Sequence, residues 1–376
     1  MPPLVAPEDA AAPPPLPGIY LHVPFCKTLC PYCDFVKVRE RGPAPDSFIE
    51  ALVREIEAFD AGGKRFGSVF YGGGTPSRLS PAQLQRVNQS LRDCLNLAPG
   101  AEWSLEANPD DITPELLDGF LEAGINRVSL GVQSFDSRVL KFLGRRHDAA
   151  AARRACGEVA ARFDNWSLDL MFGAPPIEAW PDTLAEAVAL DPPHLSAYGL
   201  TYEAGTPFER RAKDATPDDV MLSLYQSLEA ALAGYDHYEI SNFAKPGRRA
   251  RHNLVYWHNL PYAGFGTGAY AYWNGIRARN HVSLERYLAE PGAKEESTPI
   301  TPREERVETV IQHMRLRDGL PLERYHTRFG SGVMEDFGGP LQQLEARGLV
   351  SVDAERLRPT REGFYLNNEI GLALVG

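Results

Sequence analysis

Three cysteines, Cys26, Cys30 and Cys33, fall within eight positions at the spacing C-x3-C-x2-C. A single loop of that length can turn three thiolates toward one inorganic centre. The count is informative. A 4Fe-4S cluster ordinarily takes four protein thiolates, so a set of three leaves one iron open to an exchangeable ligand, a role that the amino and carboxylate groups of S-adenosylmethionine suit. A structural zinc ion with His22 as fourth ligand is the competing reading, although the paired C-x2-C spacing of such sites is missing and His22 falls inside a predicted strand. The other two cysteines, Cys94 and Cys156, lie on helical patterns and read as core thiols. Five cysteines, three of them crowded together, speak for a metal site in a reducing compartment rather than a disulfide framework.

The cysteine loop follows the first of a series of short runs rich in β-formers. These run from Gly18 to Phe25, Gly67 to Tyr71, Glu102 to Asn108, Arg127 to Gln133, Trp166 to Phe172 and His194 to Leu200. Helical patterns separate them: Phe48, Leu52, Ile56 and Phe59 recur at helical spacing, and Pro81, Pro114 and Pro181 stand where first helical turns begin. Six successive βα units make an α/β fold, either an open doubly wound sheet or a closed or partly closed barrel. Beyond Thr201 the sequence predicts a helix around Val220 to Leu232, a strand-like Tyr238 to Phe243, and a loop dense in aromatics from Tyr256 to Trp273. The expected domain plan is a disordered tail over 1–17, a barrel with its aromatic extension over 18–289, a linker over 290–302 and a small domain over 303–376. In that last domain Val307, Val310, Ile311 and Met314 mark one helix and Leu341 to Arg347 another, and the stretch from Gly348 to Leu357 reads as the hairpin of a winged-helix-like module. It lacks a dense basic face, so packing rather than DNA binding is its expected role.

Charge and hydropathy exclude other classes. Fifty acidic against 39 basic residues give a formal charge of -11, which repels phosphate backbones and anionic lipid. Nucleic acid is not an expected partner. No apolar stretch approaches the roughly 20 residues that span a bilayer, and the N-terminus lacks the cationic start of an export signal. The expected location is the cytoplasm, with at most transient membrane contact.

The segments Tyr20-Leu-His-Val-Pro-Phe-Cys26 and Cys30-Pro-Tyr-Cys-Asp-Phe35 resemble the opening of HemN/HemW-type radical S-adenosylmethionine proteins. The likeness continues through Tyr71-Gly-Gly-Gly-Thr-Pro76, Ser104-Leu-Glu-Ala-Asn-Pro109, Gly131-Val-Gln-Ser-Phe135 and Leu168-Asp-Leu-Met-Phe-Gly173. It implies a partial (β/α)6 barrel with a small C-terminal helical domain, a 4Fe-4S cluster on Cys26, Cys30 and Cys33, and bound S-adenosylmethionine. In such a barrel the site gathers at the C-terminal ends of the strands, where each motif lies. The resemblance places the cofactor's amino group along the glycines, with Gly73, Gly74 and Thr75 at its edge. Glu106, Gln133, Arg145 and Asp169 match polar contacts of the family: carboxylates suit an ammonium or ribose hydroxyls, and a guanidinium suits a carboxylate. Tyr20 and Tyr32 match two further contacts. The chemistry so implied is electron transfer from the reduced cluster to the sulfonium, releasing a deoxyadenosyl radical.

Two features separate the family's branches. Oxygen-independent coproporphyrinogen oxidases typically continue C-x2-C-x-C, whereas heme chaperones read C-x2-C-D-F, as Cys33-Asp34-Phe35 does. Val36 and Lys37 depart from the polar pair common next in the chaperone branch. The second feature, Arg251-His252-Asn253-Leu-Val-Tyr256-Trp257, resembles the chaperones' H-N-x-x-Y-W motif, in which His252 would ligate heme while the aromatics pack on the macrocycle. The opposing reading has His252 bonded within the protein and the aromatics filling the barrel mouth. The resemblance thus implies a heme chaperone whose acceptors are respiratory heme proteins; the alternative is a radical enzyme such as the oxidase, or a methylating or cyclopropanating relative. The run Gly264-Phe-Gly-Thr-Gly268 lacks the strand-to-helix context of a nucleotide fingerprint.

Overall fold

The computed structural model describes residues 16–375. The predicted tail therefore falls, except for its last two positions, outside the described residues. Six parallel strands lie side by side in chain order: β1 (Gly18–Val23), β2 (Arg65–Gly73), β3 (Asn96–Ala107), β4 (Arg127–Gln133), β5 (Trp166–Phe172) and β6 (His194–Gly199). Beyond β6 lies the antiparallel hairpin β7 (Asp236–Glu239) and β8 (Asn242–Ala244), where sequence alone suggests one strand. Beyond β1 comes β9 (Tyr262–Phe265), parallel to it, and then the antiparallel β10 (Tyr270–Trp273), β11 (Ile276–Asn280) and β12 (Lys294–Pro299). The end strands β12 and β7 do not pair with each other, so the barrel is partial.

Two expectations are corrected. The aromatic-rich stretch is not a loop but the end of the helix Arg251–Trp257 and two strands, β9 and β10, and the expected linker at 290–302 carries β12 on the sheet edge. Proline and polar residues suit an edge strand, whose outer backbone groups bond to water, as well as they suit a linker.

Strand alternation sorts the residues between two faces. In β4, Val128, Leu130 and Val132 are fully buried under the helices, while Arg127, Ser129, Gly131 and Gln133 point into the barrel. The helical layer is set by local signals. Helix α1 (Asp46–Ala58) buries Phe48, Ile49, Leu52 and Ile56, and α2 (Pro81–Cys94) starts at a capping box of Ser80 and Gln83 with proline in its first turn. Cys156 is buried as expected, but Cys94, the last residue of α2, is exposed. Residues 302–375 build a second core around Val310, Leu320, Leu341, Leu344 and Ile370, with an antiparallel pair of Val350–Val352 and Arg356–Pro359 as its hairpin. Among the described residues no helix is long and apolar enough to cross a membrane.

Leu105, with no exposed surface near the C-terminal end of β3, should cost about 2–5 kcal/mol of unfolding free energy when replaced by alanine. Leu121→Ala, at a position 41 % exposed, should cost well under half of that in the same urea titration.

Candidate cofactor site

A cavity of about 500 Å³ opens at the C-terminal ends of the parallel strands. It gathers Cys26, Cys30, Tyr32 and Cys33 from the loop after β1, Gly73, Gly74 and Thr75 after β2, and Glu106, Gln133, Arg145 and Asp169 from β3 to β5 and the turn beyond β4. Of the residues singled out by sequence, Tyr20 and His252 do not line it.

The far end of the cysteine loop is tied back to the residues just after β1. The N–H of Val38 donates to the Pro24 carbonyl at 2.7 Å, and that of Glu40 to Cys26 at 2.9 Å. His22 then fixes the middle. Its Nε2–H donates to the Val36 carbonyl at 2.7 Å, which leaves Nδ1 as acceptor for the Tyr20 hydroxyl at 2.9 Å. With both nitrogens engaged, His22 is no fourth zinc ligand. Thr75 Oγ1 lies 3.5 Å from Cys26 Sγ and an Arg145 nitrogen 3.8 Å from Cys30 Sγ. Burial pushes the Cys26 and Cys33 thiols up, so a bound cationic centre is what would draw them into the thiolate form.

Opposite the cysteines the backbone is bare of necessity. Gly73 adopts φ +106°, and a Cβ there would sit 2.4 Å from the His22 ring; at Gly74 it would sit 2.6 Å from the Pro24 backbone. No other residue fits either place. The Gly73 N–H reaches Glu106 at 3.2 Å.

Glu106 and Asp169 share the inner wall. Burial first, and then repulsion from Asp169, raises the Glu106 carboxyl to about 7. Burial also raises Asp169, opposed by hydroxyl bonds from Ser167 and Ser129, each at 2.8 Å. Arg145 is oriented by Asn108 Oδ1 at 2.7 Å and the Gly131 carbonyl at 2.6 Å. Gln133 reaches the cavity from an unusual φ of 68°. This donor set fits a cluster on three thiols beside a zwitterionic ligand: bare backbone, carboxylates for cations, and a guanidinium for a carboxylate.

Sequence reasoning missed Asn108, which braces Arg145, and Arg127, which lies 2 % exposed on the cavity wall. The signal was available. Positions 127, 129, 131 and 133 alternate with the apolar residues of β4, and that period of two marks an inward row.

His252 sits elsewhere. It opens the helix Arg251–Trp257, which plugs the opposite, N-terminal end of the barrel. Its ring stacks on Phe70 and is bonded on both sides, Nδ1 to Ser68 Oγ and Nε2 to the Tyr256 hydroxyl, both at 2.9 Å. Glu102 accepts the N–H groups of Arg251 and His252 at 3.0 and 3.1 Å, satisfying the first turn of that helix. Burial, reinforced by Arg127, lowers the imidazole to about 3. The expectation of a heme-ligating His252 is thereby corrected, because neither nitrogen is open to iron. His147 likewise serves the fold, its Nε2–H donating to Val132 at 3.0 Å.

Reconstitution without oxygen should yield one 4Fe-4S cluster per chain by iron and sulfide assay, and no cluster in a variant with all three cysteines replaced by serine. Because Glu106 titrates near neutrality, S-adenosylmethionine should bind more tightly at pH 8 than at pH 6, where the carboxyl is mostly protonated. Calorimetry on Glu106→Gln should show that dependence flattened.

Residues 20–187 match the radical SAM superfamily and residues 300–366 the HemN C-terminal domain. The heme chaperone HemW of Lactococcus lactis is 33% identical over 362 residues, covering 93% of this chain and 95% of the relative. HemW of Escherichia coli is 33% identical over 96% of this chain and 99% of its own length, and that of Mycobacterium tuberculosis 36% identical over 96% and 95%. Among solved structures, the coproporphyrinogen III oxidase HemN of Escherichia coli superposes with a TM-score of 0.83 at 25% identity, over 97% of this chain and 91% of that one. The partial barrel, the cysteine loop and an end-to-end likeness to these relatives together make this chain a member of the HemW family of radical SAM proteins.

Proposed function

We propose that this protein is a heme carrier built on a radical SAM scaffold, which binds heme and passes it to acceptor proteins of respiration without decarboxylating coproporphyrinogen III. The observation that carries the reading is the likeness to HemW proteins over nearly the whole chain. Phe35, on the cavity wall where the oxidases have a further cysteine, agrees with it. Cys26, Cys30 and Cys33 would hold the cluster. Gly73 and Thr75 would meet the amino group of S-adenosylmethionine, Arg145 its carboxylate, and Glu106, Gln133 and Asp169 its polar remainder. Bound together, cluster and cofactor supply one-electron chemistry at the sulfonium. The chain orients them and excludes water through the plugged barrel floor. Lacking a membrane-spanning helix among the described residues and carrying net negative charge, the protein is placed by this reading in the cytoplasm, meeting membrane-bound acceptors only in passing.

The oxidase is the second reading, favoured by the superposition on HemN. An anaerobic assay with reductant, S-adenosylmethionine and coproporphyrinogen III decides between them. Stoichiometric heme binding without protoporphyrinogen is expected, and turnover at enzymatic rates would overturn the carrier reading.

His252→Asn should leave heme affinity unchanged and lower stability instead. The cost should be greatest near neutral pH and shrink as pH falls below about 6.5, because the unfolded wild-type histidine gains a proton there that the folded one refuses until pH about 3. Heme titrations and urea melts at pH 7.5 and 5.5 check both halves.

A further inference from the structure

Two large apolar side chains stand in water on the cysteine loop itself, Leu29 at 42 % and Phe35 at 60 % exposure. Ligand pockets are lined largely by apolar and aromatic side chains, so an exposed ring on a cavity wall is a candidate contact. Phe35 lines the cavity, and so does Lys37. The Lys37 ammonium donates to the carbonyls of Cys33 and Phe35, and no carboxylate among the described residues pairs with it. Beside the exposed ring it thus has carbonyl partners and no carboxylate, and its field reaches the Cys26 and Cys33 thiols.

Deeper in, the wall turns charged and hydroxylic at Glu106, Arg127, Ser129, Asp169 and Ser196, set beside Phe70, Met171 and Tyr198. A flat apolar macrocycle gains little among ionised and hydroxyl groups that it cannot pair. At the rim it meets an aromatic face and a cation, with Leu29 exposed elsewhere on the same loop. Resting on the carrier reading above, we propose that heme is held at this rim: the macrocycle lies against Phe35 and Leu29, and a propionate pairs with Lys37. The lumen then stays with S-adenosylmethionine. The charge argument selects heme over a purely apolar occupant, since its propionates complement the Lys37 ammonium. A ligand seated on exposed side chains keeps one face open to an acceptor, so it can leave without the barrel opening.

The test uses reconstituted protein with S-adenosylmethionine, titrated anaerobically with heme and with heme dimethyl ester, the cluster absorbance being recorded in the same samples. Phe35→Ala should weaken heme about tenfold with the cluster intact. Lys37→Gln should weaken heme but leave the uncharged ester as in wild type. Should Phe35→Ala disturb the cluster, Leu29→Ala provides the same reading and should weaken heme severalfold. Heme affinity within twofold of wild type in a cluster-loaded Phe35→Ala protein would overturn the rim site. So would unchanged heme binding combined with lost delivery to an acceptor, which would make the patch a protein contact. No heme binding by wild type would instead remove the carrier reading on which the proposal rests.

Discussion

The imidazole of His22 fixes the cysteine loop and the glycine turn relative to the first strand. It accepts from Tyr20 within its own strand, donates to Val36 at the end of the cysteine loop, and fills the space that a side chain on Gly73 would need. Its own backbone carbonyl lies 2.4 Å from where a Cβ on Gly266 would project, so β9 also closes against this point. Strand, cysteine loop, glycine turn and the neighbouring β9 thus meet at one residue. Burial keeps the ring neutral, which preserves the one tautomer able to serve both bonds. The glycines and the histidine are therefore a single constraint read twice in the sequence.

Around that constraint the barrel keeps two chemistries apart. Outward residues of the parallel strands pack as Ile, Leu, Val and Phe under the helices, whereas the inward rows hold serines, carboxylates and an arginine. Such a lumen must be closed below and open above. The helix carrying His252 closes it, anchored by Glu102 at its first turn and by Ser68 and Tyr256 on the ring. His194 adds to the floor through Ser167 at 2.8 Å and Tyr238 at 2.9 Å. Because these groups satisfy one another, the floor needs no ligand to be stable. At the rim, by contrast, Phe35 stays exposed and Lys37 bonds to backbone carbonyls alone.

Much of this was legible in the sequence because it is local. The six parallel strands follow from runs of β-formers between helical patterns, and the starts of three helices from Pro81, Pro114 and Pro181. The cysteine spacing and the glycine run announced the cavity's two sides. What failed depended on long-range pairing. Nothing near Lys294–Pro299 reveals that its partner is β11, and the aromatics after Tyr256 look like a loop until β9 is seen beside β1. His252 failed for a related reason. A histidine among aromatics reads alike as a ligand or as a plug, and only Ser68 and Glu102, over 140 residues earlier in the chain, decide for the plug.

Under the proposed reading, a lumen given to the cofactor and an exposed aromatic at its rim suit holding a large ring briefly rather than enclosing it for turnover. The direct test is transfer itself. Protein loaded with one equivalent of heme is mixed with a heme-free respiratory hemoprotein, and the two Soret bands are followed in time. The account predicts that the donor band decays as the acceptor's band grows, with the macrocycle chemically unchanged. Heme that stays on the donor, or reaches the acceptor no faster than free heme does, would contradict it.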